Sequence, residues 1–288
     1  MLNARIFRLP INAINPPADA PKLVLESLDI KGSIMLLDPA HEWVDQKTGT
    51  ALKNIMWSRA METISGSTQS GVGGDSILLS VSGGGTYRRN ERTSKSAIHL
   101  YYKGDAPDFA GDIEKYGFPT DVLNHIKTSG HEFYIALSHR ITLNPQGIGT
   151  DATRNQWSGI TQNDTNAIYS FDTQGDKPVT TGRTFYARSG TATDETLGLV
   201  HRRIGTNISI PTETNGANPM FGVGRNSNFT VSEGKPTGSI LYTFYVCDLT
   251  VAGKTAAEVD AIFQARQATL FASGGRYADD SWTDPSIV

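Results

Sequence analysis

Two acidic loops, a basic run, a loop tryptophan and six scattered histidines hold the residues that could do chemistry in this chain. Asp105, Asp108 and Asp112 lie between Gly104 and Gly117, with Glu114 just behind them. Oxygen-rich loops of this kind suit hard cations, so calcium is the ion this one would take. The alternate Asp/Asn positions of an EF-hand are missing, and a solvated turn capped by its own aspartates is the competing reading. Asp279, Asp280 and Asp284 repeat the cluster more weakly.

The basic run is Tyr87-Arg88-Arg89-Asn90-Glu91-Arg92-Thr93-Ser94-Lys95. Tyr87, Arg88, Arg89 and Arg92 could grip an acidic glycan, a phosphate or an acidic partner surface. A solvated hairpin explains the same run without a ligand. Arg154, Asn155 and Trp157 stand among Thr, Gly and Asn turn residues. A loop tryptophan beside polar groups suits stacking on a sugar or anchoring a protein contact. It could equally fold back onto the body of the protein.

The histidines at 41, 99, 125, 131, 139 and 201 form no H-x-H or H-E-x-x-H pair. His131 and His139 fall on one face of a strand about 27 Å apart, too far to share a metal. Surface or hydrogen-bonded core histidines are the expectation. Ser82-Gly83-Gly84-Gly85-Thr86 lacks the Lys-Ser/Thr of a phosphate loop, and Gly222-Val223-Gly224 lacks the third glycine of a dinucleotide fingerprint.

These residues must be held mainly by strands. Short β-type runs bounded by Gly, Asn, Asp and Pro recur at 22–30, 33–37, 76–82, 96–102, 131–143, 166–172, 183–189, 196–201, 206–210, 219–224 and 239–251. Phe133, Ile135 and Leu137 alternate onto one face. In the last run Ile240, Tyr242, Phe244 and Val246 point one way and Leu241, Tyr245, Cys247 and Leu249 the other, as in a strand covered on both sides. Burial is expected for Cys247, the single cysteine. The best helix is Thr255–Phe271, where Thr255 and Glu258 make a capping box and Val259, Ile262, Phe263, Arg266 and Leu270 form one stripe. Weaker helical spacing runs over 50–64, and a short turn over 120–127 follows Pro119. No repeat of 20–50 residues appears, so a propeller or solenoid is not expected.

The chain has 288 residues, a net charge of −3 and 38% hydrophobic residues. The slightly acidic balance argues against non-specific nucleic-acid binding. No apolar run nears the roughly 20 residues of a membrane helix. The first residues lack the apolar core of a secretion signal, so cytosolic synthesis is expected. Residues 1–21 hold Pro10, Pro16, Pro17 and Pro21 and read as an extended arm. Its Ile6, Phe7, Leu9 and Ile11 are apolar enough to pack on the body or on a neighbouring chain. Residues 274–288 form a tail whose Trp282 is an assembly candidate of the same kind.

The segments Asn218-Pro219-Met220-Phe221-Gly222-Val223-Gly224, Gly238–Thr250 and Gly253-Lys254-Thr255-Ala256-Ala257-Glu258-Val259 together resemble the end of a concanavalin A-like, laminin-G-like domain. There a Gly-x-Gly strand and a Gly-led strand precede a short Thr/Ser-x-x-Glu helix. The resemblance spans roughly 180–271, with a weaker echo at 131–143. It implies an all-β fold: a two-sheet antiparallel jelly-roll sandwich over 22–273 with one C-terminal helix. Such domains bind carbohydrate, proteins or calcium, and some hydrolyse polysaccharides through Glu-x-Asp-x-x-Glu. The nearest match, Glu258-Val259-Asp260, ends in Phe263 and lies in the helical segment, where residues two apart do not face each other. Catalysis and a bound cofactor are therefore not expected. By analogy with isolated domains of this kind, the expectation is a virion protein of a bacteriophage or prophage, from the tail, baseplate or capsid periphery. Its partners would be other virion proteins, further copies of itself and host-surface glycans. The alternatives are a carbohydrate-active enzyme and a stand-alone lectin-like module.

Overall fold

A computed structural model describes residues 26–43, 49–82, 86–103, 113–143, 156–161, 167–172, 183–189, 197–203, 219–224 and 238–288. They form a mostly β protein of antiparallel sheets with a few helices. In chain order the strands are β1 (Ser33–Leu37), β2 (Leu79–Ser82), β3 (Arg88–Arg92), β4 (Ile98–Tyr102), β5 (Ile113–Gly117), β6 (Glu132–Leu143), β7 (Gln156–Thr161), β8 (Ala167–Asp172), β9 (Arg183–Ser189), β10 (Leu197–Arg203), β11 (Pro219–Gly224) and β12 (Gly238–Asp248). The helices are α1 (Trp57–Thr63), α2 (Thr120–Thr128), α3 (Leu249–Ala252) and α4 (Ala256–Phe271).

Seven strands make one sheet in the order β3-β4-β12-β6-β10-β9, with β1 also paired to β12. Strands β4 and β1 share one side of β12. The first pairs with residues 238–241 and the second with residues 244–247. Strand β6 runs along the other side. A three-stranded sheet, β11-β5-β2, and a ribbon, β7-β8, complete the set.

The seven-stranded sheet is covered on both faces. On one, Leu100, Phe133, Ile135, Phe244 and Val246 share a core with Tyr116 of β5, Phe221 of β11 and Ile126 of α2. On the other, Tyr134, Tyr245 and Cys247 pack under Val259 and Phe263 of α4, and Tyr242 packs with Leu270 and Tyr277. Every residue of β12 is buried, as the two-faced apolar pattern requires. The expected facing is corrected at one point. The register of β12 against β6 slips between Leu241 and Thr243, leaving an extra residue on β12. Ile240 and Tyr242 therefore face the helix side, while Phe244 and Val246 face the other sheet. Burial pushes the Cys247 thiol up to about 12.

Helix α4 starts where its capping box places it, with Thr255 Oγ1 accepting from the Glu258 amide and Glu258 accepting from the Thr255 amide. Helix α2 covers the 120–127 turn. The 50–64 helix shrinks to α1. Leu52 bridges Ile77, and the buried Asn54 side chain bonds backbone groups of Ile34, Leu36, Met56 and Val72, so the first half is held extended. Residues 26–30 turn and make no strand, while 206–210 lies outside the described residues. Among the described residues no helix is long and apolar enough to cross a membrane.

Candidate functional site

Three polar clusters lie against the seven-stranded sheet, and they use their groups differently. The first is buried under α4. Arg266 donates from Nε and Nη2 to the two carboxylate oxygens of Glu26, and from Nη2 to Asp38 Oδ2 at 2.6 Å. Arg276 also donates to Asp38 Oδ2, and the Tyr277 hydroxyl donates to Asp38 Oδ1. His41 Nδ1 accepts from the Trp43 amide, so its proton sits on Nε2 and goes to Glu26. Burial pushes the Glu26 carboxyl up, but the bonds from His41 and Arg266, the Arg266 charge and the Leu28 amide outweigh it. The result is a pKa of about 2. Two anions meet two cations, and the network ties helix and tail to β1.

The second cluster lies under the tail. His99 Nδ1 is 2.9 Å from Glu91 Oε1 and Nε2 is 2.8 Å from Thr142 Oγ1. Burial lowers the His99 pKa against the opposing pull of Glu91, which favours the neutral ring. A carboxylate only accepts, which puts the proton on Nδ1 and leaves Nε2 to accept from Thr142. Glu91 also accepts from the amide and hydroxyl of Thr283, fixing the tail.

The third cluster is His125, His131 and Asp248. Asp248 ends β12 and caps α3, its Oδ1 accepting from the Val251 amide. Its other oxygen, Oδ2, lies 2.7 Å from His125 Nε2 and 2.7 Å from His131 Nδ1. The carboxylate is fully buried, while the two imidazoles are 12% and 31% exposed. Burial raises the Asp248 pKa, but the two histidine bonds and the amide bond hold it below the usual carboxylate range. The three ligand atoms lie within 4.8 Å of one another. His125 also lines a groove of about 420 Å³ with Ile64, Ser67, Asp121, Asn124 and Thr128.

Pattern reading missed this third cluster. His125 lies in the last turn of α2 and His131 stands just before β6; Ser129 and Gly130, the latter at φ +71°, turn the chain between them. Asp248 reaches them only because it pairs with Phe133 across β12 and β6. The one local signal was a histidine on either side of a Ser-Gly helix stop.

The basic run is strand β3, at the edge of the large sheet. Arg92 is turned inward, donating to the carbonyls of Pro39, Gly49, Ala51 and Ser96. Arg89 bonds the carbonyls of Thr86 and Arg88, and Tyr87 packs against the core. Arg88 sits beside Arg89 on the same strand, half-buried. Trp157 lies on β7, but Arg154 and Asn155 lie outside the described residues, so the trio is not placed together. Asp105, Asp108 and Asp112 also lie outside them, as do Ile6, Phe7, Leu9 and Ile11. Glu114, from the same acidic stretch, is buried on β5 under Asn90, and burial raises its pKa. Trp282 lies under the Arg140 guanidinium, 5.2 Å from the ring centre, and packs on the Tyr242–Tyr277 cluster of its own chain. Asp260 accepts from the Tyr134 hydroxyl, and Glu258 is the cap of α4. No family model, no curated protein and no solved structure matches this chain.

Proposed function

We propose that the protein is a non-enzymatic structural and interaction protein of a phage-like particle, a tail, baseplate or capsid-associated component built on a concanavalin A-like jelly roll. Two antiparallel sheets sharing one core, with a Gly-led strand running into a capping-box helix, support the jelly-roll reading. The observation that carries the interaction role is strand β2. It ends the path of the three-stranded sheet among the described residues, and Leu78 and Val81 beside its open edge are 69% and 48% exposed. Open edges are ordinarily guarded by charge, proline or a bulge. This one reads Leu-Ser-Val-Ser, with no charge.

The occupant this edge fits is a second copy of the chain. An uncharged strand meeting its own twofold mate brings no like charges together, and antiparallel pairing is self-complementary. Sedimentation equilibrium over a range of concentrations tests this. Self-association of the full chain is expected, and Val81→Lys should abolish it while changing stability by no more than about 0.5 kcal/mol. A wild-type chain that stays monomeric throughout refutes the self-association. Mass spectrometry of purified particles tests the particle assignment, and absence of the chain from them refutes it.

A further inference from the structure

We propose that His125, His131 and Asp248 form a binding site for one divalent transition-metal ion, with zinc the best fit. Two imidazole nitrogens and one carboxylate oxygen are borderline donors of the kind zinc takes, whereas calcium and magnesium prefer all-oxygen shells. Both ring nitrogens point at a single oxygen atom, Asp248 Oδ2, each from 2.7 Å. Tetrahedral zinc with bonds of about 2.0–2.1 Å sets its ligand atoms roughly 3.3 Å apart. Each nitrogen therefore has to withdraw from Oδ2 by about 0.6 Å, and the two nitrogens, within 4.8 Å of each other, have to take up the same spacing to admit the ion.

The surroundings suit that small opening. Asp248 is the fixed ligand: its backbone belongs to β12, and Oδ1 is held by the Val251 amide, leaving Oδ2 for the metal. His131 is the adjustable one, at the mouth of a turn through Gly130 and 31% exposed. On coordination each ring gives its inward lone pair to the ion and carries its proton on the other nitrogen, His125 Nδ1 and His131 Nε2. Three protein ligands leave one position, which the half-exposed side of the cluster opens to water. His125 also lines the groove beside the cluster. Such an ion would join the last turn of α2 and the start of β6 to the β12–α3 junction, 123 and 117 residues further along the chain from His125 and His131.

The test is calorimetric titration of chelator-treated full-length protein with zinc chloride, alongside the visible spectrum with cobalt chloride. Binding at this site and the absorption bands of tetrahedral cobalt are expected. Loss of an outer-shell partner alone weakens metal binding by about 10–100-fold. Asp248→Asn and His131→Gln each remove a direct ligand and should weaken zinc by at least that much. Asp248→Asn keeps an oxygen to cap Val251, and the more exposed His131→Gln covers the case in which Asp248→Asn does not fold. No zinc binding at 100-fold molar excess, or wild-type affinity in a folded variant, overturns the assignment.

Discussion

Replacing Arg266 by Met tests how α4 is fastened to the sheet. The change keeps most of the side chain's length and removes a guanidinium that makes three charged hydrogen bonds. It leaves Glu26 and Asp38 ionised, with side chains 5% and 0% exposed. Removing one partner of a buried ion pair costs about 3–5 kcal/mol, because the other charge stays behind without it. Unfolding entropy of about 2.1 cal/mol/K per residue sums to roughly 0.6 kcal/mol/K over a chain of this length, so Tm should fall by about 5–8 °C. The acid limb should change too. Glu26 titrates at about 2 in the folded protein against an ordinary 4.5. A carboxylate lowered by folding stabilises above its unfolded pKa, and that stability fades as pH falls from about 4.5 to about 2. The difference is worth about 3 kcal/mol in the wild type. In the variant Glu26 keeps His41, the Leu28 amide and a long bond from the Ser27 hydroxyl but loses the guanidinium, so this acid-sensitive part should shrink. Calorimetric melts from neutral pH down to about pH 2 measure both effects. A Tm within about 2 °C of wild type at neutral pH, or an unchanged acid slope, would refute the reasoning.

Two further substitutions probe the frame around the clusters. Gly32 sits at φ +87°, and an added Cβ would lie 2.4 Å from the Asp248 carbonyl oxygen and 2.8 Å from the Ala252 nitrogen. Gly32→Ala should therefore cost at least about 2 kcal/mol in urea melts, and a neutral result would mean that the β1–β12 approach is looser than described. Arg92→Ala should destabilise by about 2–4 kcal/mol, since four backbone carbonyls lose a charged donor. A ligand-contacting arginine would instead leave Tm unchanged and alter only binding to acidic glycans.

The elements legible in the sequence were those whose pattern is enforced locally. Strand β12 shows apolar residues on both faces because it is covered on both faces. Helix α4 shows its cap and stripe because both lie within one segment. The phase slip inside β12 was hidden, since a bulge leaves composition unchanged and appears only against the partner strand β6. Strand β3, Arg-Arg-Asn-Glu-Arg, carries no apolar alternation, because it is an edge whose order comes from pairing with β4. The Arg92 side chain looked like a surface charge for the same reason. Its four acceptors come from Pro39, Gly49, Ala51 and Ser96, and three of them are more than 40 residues away.

The three polar clusters differ in a way that bears on the metal proposal. In the α4 network Arg266 meets both oxygens of Glu26, and the two oxygens of Asp38 are divided between Arg266 and Arg276 on one side and Tyr277 on the other. Under the tail, His99 has a separate acceptor and donor on its two nitrogens. Each is closed around complementary groups. In the third cluster two imidazole nitrogens converge on one atom of one anion, and one of the two rings, His125, lines a groove. A hydrogen-bonded clasp and a metal centre both use that convergence, but they part on one variant. Replacing His131 with Gln preserves an N–H donor for Oδ2, so a mere clasp would lose little stability and show no zinc dependence. A metal centre would show zinc raising Tm in the wild type and not in the variant, because only an ion that binds the folded state shifts the equilibrium.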